Sequence, residues 1–196
     1  MIYGLVRLFV LSVLFVLLML VLKKICHKTV KIIIVATMVI LDIAIFAFPV
    51  ENLFFSFNTP QDVLEYAGQG KVIGIAEGDE SAALLTKEGS GDYSVFFALK
   101  DNGRYKIAGF NADDKVATAN CDLLTITVYN IKGTDDYYIS IWGVTSDEIE
   151  IYDSLNTAFV IYGEEFSDKK VISAIGVIDY NDKYCCYIDG EAIELR

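Results

Sequence analysis

Residues 2–22 and 32–50 are two long apolar runs, separated by the short polar loop 23–31. Each run is close to the ~20 residues that an α-helix needs to cross the hydrocarbon of a bilayer. The pattern therefore predicts a hairpin of two transmembrane helices over residues 1–50. The loop carries Lys23, Lys24, Lys28 and Lys31. Lysines concentrated in a short loop favour the cytoplasmic side, which puts the N-terminus and everything after residue 50 outside the plasma membrane. The first run is followed by Lys-Lys rather than by small residues at a cleavage site, so it is expected to stay as an anchor rather than act as a cleavable signal. Pro49 closes the second run, and Phe46, Phe48, Phe54, Phe55 and Phe57 crowd the outer boundary.

Beyond the hairpin the period changes twice. Residues 51–70 read as a linker and one short helix. Thr59-Pro60-Gln61-Asp62 offers an N-cap, a proline at the first helical position and an acid at the third, with Gly68 or Gly70 as the stop. From residue 71 to 196 the apolar positions alternate with period two. Strand-like runs cover 72–77, 82–86, 93–99, 105–110, 123–131, 137–143, 148–152, 158–162, 171–180, 184–189 and 192–195. Turn signals divide them at Gly89-Ser90-Gly91, Asn102-Gly103, Asn181-Asp182 and Asp189-Gly190. Connections this short favour antiparallel neighbours in meander order. The expected fold is a two-helix transmembrane hairpin followed by an all-β antiparallel domain (sandwich, barrel or packed meanders) with one short N-terminal helix. Residues 71–109 and 137–190 echo one another in pattern, which raises the expectation of two related four-stranded units.

Charge sharpens this division. The formal net charge of -11 splits into +4 up to residue 50 and -15 after it. So acidic an outer domain argues against nucleic acid or an anionic membrane surface as its partner. Inside the arms, Arg7 and Asp42 are ionisable residues at depths where charge is costly. Counted outward from His27, Ser12 is level with Asp42, and Arg7 lies about 7 Å further out at 1.5 Å per residue. An internal Arg7–Asp42 pair assisted by Ser12 is expected; docking of a partner membrane protein is the alternative.

Little in the outer domain's sequence points to catalysis. His27 is the chain's sole histidine and sits in the lysine loop. Serine or cysteine catalysis through histidine, and histidine-ligated zinc, are thus not expected in the outer domain. Acid doublets at 79–80, 113–114, 135–136, 147–148 and 164–165 fall at turns. They leave open a carboxylate-only glycoside hydrolase, which needs two acids facing each other across a cleft. Asp179-Tyr180-Asn181-Asp182 begins like a calcium loop, but Lys183 and Tyr184 break the pattern. No metal or cofactor is expected. Cys121, Cys185 and Cys186 are an odd set outside; one of the adjacent pair could join Cys121, and small buried hydrophobes are the alternative. Along 137–143, Tyr138, Ser140 and Trp142 share one face and Tyr137, Ile139 and Ile141 the other. If the first face meets solvent, Tyr138 and Trp142 form a platform for a sugar or a peptide. If the strand is central, both faces are buried.

The capped linker helix (Phe57 to Tyr66) and the closing pattern Tyr184-x-x-Tyr187-Ile188-Asp189-Gly190-x-x-Ile193-x-Leu195 together resemble small uncharacterised exported proteins of Gram-positive bacteria. These couple N-terminal membrane helices to a β-rich outer domain. The resemblance implies an architecture and supplies no functional residues. The functional expectation is a membrane-anchored, non-catalytic binding or sensing module for a peptide, an envelope component or a membrane protein. An accessory or immunity-type protein whose hairpin docks its partner is the alternative.

Overall fold

The computed structural model describes residues 2–25, 27–89, 91–109, 111–146, 148–166, 168–181 and 183–195, and of residues 2–5, 46, 47 and 166 the backbone alone. Cys26, Ser90, Phe110, Asp147 and Asp182, each part of a loop, turn, strand or doublet read from the sequence, lie outside the described residues, as does the Phe46 side chain.

The chain begins with α1 (Ile2–Lys24) and α2 (Lys28–Ala47). Over Val6–Lys24, α1 is long and apolar enough to cross a membrane. A 3-10 turn, Val50–Leu53, leads to α3 (Pro60–Ala67). The capping box is formed: Thr59 Oγ1 accepts from the Asp62 amide at 3.2 Å, and Asp62 Oδ2 accepts from the Thr59 amide at 3.1 Å. Two of the helix's orphan donors are thereby satisfied.

The rest is β-structure in three antiparallel sheets. The first is a meander of β1 (Lys71–Glu77), β2 (Ser81–Lys87), β3 (Tyr93–Asp101) and β4 (Arg104–Ile107). β5 (Asp113–Cys121), β6 (Leu124–Ile131), β7 (Tyr137–Thr145), β9 (Val160–Phe166) and β10 (Lys169–Ile178) make the second, in the order β5-β6-β7-β10-β9. The third joins β12 (Glu191–Ile193), β11 (Cys186–Ile188) and β8 (Ile151–Asp153). Asn102 and Gly103 (φ 51° and 75°), like Asp189 and Gly190 (φ 50° and 83°), supply the paired positive φ that a tight hairpin requires.

Alternation along the strands builds four layers. Ala82, Leu84, Ala98, Tyr105 and Ile107 face Val63 and Leu64 of α3. Ala83, Leu85 and Phe97 turn the other way, onto Ile131, Tyr138 and Ile175 of the second sheet. The far face of that sheet, with Ile126, Val128, Ile139, Ile141 and Ala174, is covered by Cys186, Ile188 and Ile193 of the third. β2 and much of β7 are thus buried on both faces. At Gly143 the turn between β5 and β6 comes so close that a Cβ would lie 2.1 Å from the Leu123 carbonyl oxygen.

Two expectations are corrected. Residues 137–190 do not form a second four-stranded meander: their strands are shared between two sheets, and β10 inserts between β7 and β9. β5 was not expected at all. It is an edge strand paired with β6 alone, and Ala117 is its one buried residue. Its alternation rests on small residues, Ala117, Ala119 and Cys121, which give a weak apolar signal.

Candidate functional site

Three places concentrate polar side chains, and each is set by the layering just described. The first is the junction of helices and sheets. Arg7 Nε and Nη2 donate to Glu51 Oε1 and Oε2, both at 3.1 Å, and Nη2 also donates to the Phe48 carbonyl at 3.0 Å. The two side chains are each 8% exposed. A planar guanidinium meeting a carboxylate through two parallel bonds is the strongest form of such a pair. Glu51 sits on the 3-10 turn. The next residue, Asn52, accepts from the Ile107 amide at 2.9 Å and donates to its carbonyl at 2.8 Å, so its side chain copies a strand partner at the edge of β4. Phe57 and Tyr105 exchange backbone bonds of 2.8 and 2.9 Å. The rings of Phe55, Phe57 and Tyr66 meet at 5.5–5.6 Å. Burial raises the Tyr66 pKa; the Glu51 charge adds to the effect and Arg7 opposes it.

This corrects the expected Arg7–Asp42 pair: the partner of Arg7 is Glu51. Ser12 gives its hydroxyl hydrogen to the Leu8 carbonyl at 2.8 Å. Asp42 and Ser12 do share a level, for both line an open groove of about 460 Å³ with Leu8, Leu11, Phe15 and Val16. Asp42 makes no hydrogen bond or ion pair among the described residues. The loop lysines Lys23, Lys24 and Lys28 cap the far ends of the two helices, with Lys31 one turn further on.

The second place is a cleft between the first two sheets, about 80 Å³ in volume. Tyr93, Ser94 and Val95 of β3 and Leu85 of β2 form one wall; Tyr129, Ser140, Trp142 and Ser173 form the other. Ser173 lies opposite Trp142 in the β10–β7 ladder. Its hydroxyl is 1% exposed and has no hydrogen-bond partner among the described residues. A buried polar group left unpaired costs stability and calls for an explanation. Trp142, at the mouth, is 54% exposed. At the rim, Glu164 accepts from Lys87 and, at 2.7 Å, from the Tyr93 hydroxyl. Those bonds, the Lys87 one foremost, hold the Glu164 pKa below its ordinary 4.5 and, from the other side, raise that of Lys87.

The expected Tyr138–Trp142 platform is therefore only half present. Tyr138 is fully buried, since β7 is central and the first sheet covers that face. Its hydroxyl meets Ser81 Oγ at 2.8 Å and accepts from the Gly78 amide at 3.2 Å. Ser140 and Trp142, from the same face, do line the cleft. Tyr93 and Ser173 were missed, because a serine amid apolar strand residues gives no sequence signal of what lies across from it.

The third place is acidic. The doublets 79–80 and 135–136 converge where the β1–β2 turn meets the start of β7. Asp136 accepts from the Asp79 amide at 3.1 Å, the Glu80 amide at 3.0 Å and Ser81 Oγ at 2.6 Å. Its carboxylate is occupied in capping that turn. Among the described residues no group of three or more His, Cys, Asp or Glu is arranged to hold a metal ion. Cys121, Cys185 and Cys186 are free thiols. Burial, with the Asp153 charge second, pushes the Cys186 pKa up to about 12. It is therefore a neutral thiol at ordinary pH and a poor nucleophile. No protein family, no curated protein and no solved structure matches this chain.

Proposed function

We propose that this protein is a membrane-tethered, extracytoplasmic β module that binds its ligand in the cleft between its first two sheets without transforming it. The observation that carries the reading is the Ser173 hydroxyl, without a partner among the described residues, beside a half-exposed tryptophan. The cleft has room for about two or three waters at ~30 Å³ each, far below the ~300 Å³ of a small-molecule pocket. It thus takes one small polar group of a larger ligand. The remainder lies over Trp142, as an extended peptide or an envelope saccharide can.

The tether reading is supported by α1 and by the lysines at the far ends of both helices. On this reading α2, apolar but for Thr37 and Asp42 between Lys31 and Ala47, is the second span. Phe48 is 67% exposed and Leu53 and Phe54 82% each. These apolar side chains at the outer helix ends suit a lipid boundary better than water. The Arg7–Glu51 pair then lies at that boundary and the β module beyond it, as in the exported Gram-positive proteins that the chain resembles. Topology is tested by Asp135→Cys in a background lacking Cys26, Cys121 and Cys185. An impermeant maleimide should label it on intact cells; labelling only after lysis would place the module inside.

Trp142 is the chain's one tryptophan, so its emission reports on the mouth of the cleft. Full-length protein in lipid nanodiscs should show a saturable change in emission with an N-acetylglucosamine trimer or a seryl tripeptide. Ser173→Val should abolish that change while stabilising the fold by about 1 kcal/mol, since two apolar methyls replace a buried hydroxyl that has no partner among the described residues. Flat titrations with both probes, or an unaltered response in Ser173→Val, would refute the binding site.

A further inference from the structure

We propose that the groove around Asp42 receives one membrane-spanning helix of a different protein, and that this helix carries a lysine or arginine level with Asp42. The proposal rests on the hairpin reading above. The walls of the groove, Leu8, Leu11, Phe15 and Val16, are apolar and open to the outside of the helix pair. They offer a helix the same packing surface that they offer lipid, so they do not decide the occupant. Asp42 does. A carboxylate at hydrocarbon depth needs a counter-charge or a donor, and among the described residues it has none.

The chain cannot supply one. Arg7, the cation on α1 nearest to Asp42 in depth, is held by both oxygens of Glu51. Ser12, at the right level, has given its hydrogen to Leu8. Lys31 lies about 16 Å away along α2 at 1.5 Å per residue. A second copy of the chain would bring another Asp42 and another engaged Arg7, setting like charges together. Charge complementarity therefore selects a foreign helix with a cation. Asp42 is six residues, about 9 Å, short of Phe48, so that cation belongs in the outer half of its own span.

The experiment places benzoylphenylalanine at Phe15, an exposed wall of the groove, in the full-length protein within its native membrane. Irradiation should give an adduct whose crosslinked peptide is a transmembrane segment containing lysine or arginine. Asp42→Leu should reduce the adduct about tenfold or more, whereas Asp42→Glu should keep it. Asp42→Lys should abolish it, and exchanging the partner's cation for aspartate should restore it. An adduct of twice the chain's own mass, one to lipid alone, one to a segment without a cation, or one indifferent to Asp42→Leu would overturn the proposal. Carbonate extraction separates the two readings. A chain released by carbonate defeats the hairpin itself, and the docking site with it. A chain that is retained, but whose adduct ignores residue 42, defeats only the docking site.

Discussion

Arg7→Met in the full-length protein should weaken the junction between helices and sheets by about 3–5 kcal/mol, the usual cost of stranding one member of a buried ion pair. Glu51 would keep its charge in a site where it is 6% exposed, with no guanidinium to answer it. The Phe48 carbonyl would lose a donor as well. The natural readout is amide hydrogen exchange in nanodiscs. Residues 52–57 and the first turn of α3 should exchange faster, while the central strands β6 and β7 stay protected. Adding Glu51→Leu should recover most of the loss, because a pair of apolar residues carries no stranded charge. Wild-type protection in Arg7→Met would show that the pair holds nothing together.

A loss of similar size is expected within the β module from Asp136→Ala. Two backbone amides and the Ser81 hydroxyl would lose their common acceptor in a buried place. At 1–3 kcal/mol for each donor left unmet, partly relieved by local movement, the total comes to about 3–5 kcal/mol. Urea unfolding should show a lower midpoint at an unchanged slope. Gly78→Ala tests the same cap independently, since its Cβ would fall 2.5 Å from the Asp136 carboxyl group. Both substitutions break one contact, so the double variant should be less destabilised than the sum of the two. Full additivity would mean that the cap is not shared.

The elements legible in the sequence were those whose signal is local. The two apolar arms, the Thr59–Asp62 capping box and the Asn102-Gly103 and Asp189-Gly190 turns depend on residues within four positions of each other. What sequence could not give was set by distant partners. β5 is held by its ladder to β6 and by the small residues Ala117, Ala119 and Cys121, too weakly apolar to mark a strand. β10 is buried on both faces, as a strand in the interior of a covered sheet is, but alternation does not say which strands flank it. For the same reason Tyr138 and Trp142, though on one face, end in different surroundings: the first sheet covers Tyr138 and stops short of Trp142. The arginine is the most instructive case. Counted from His27, Arg7 stands at twenty residues, Asp42 at fifteen and Glu51 at twenty-four. Glu51 is the nearer in register, yet it follows the end of the apolar run, where a charge is ordinary and gives no signal.

Between the end of α2 and the start of α3 the backbone has little freedom left. Phe48 and Glu51 are clamped by Arg7, Asn52 is laced to Ile107, and Phe57 is bridged to Tyr105. A flexible linker would let the sheets swivel over the helices as a flag turns on a cord. This connection behaves as a welded bracket: a tilt of the helix pair must swing the edge of β4, and with it the whole stack of sheets, through the same angle.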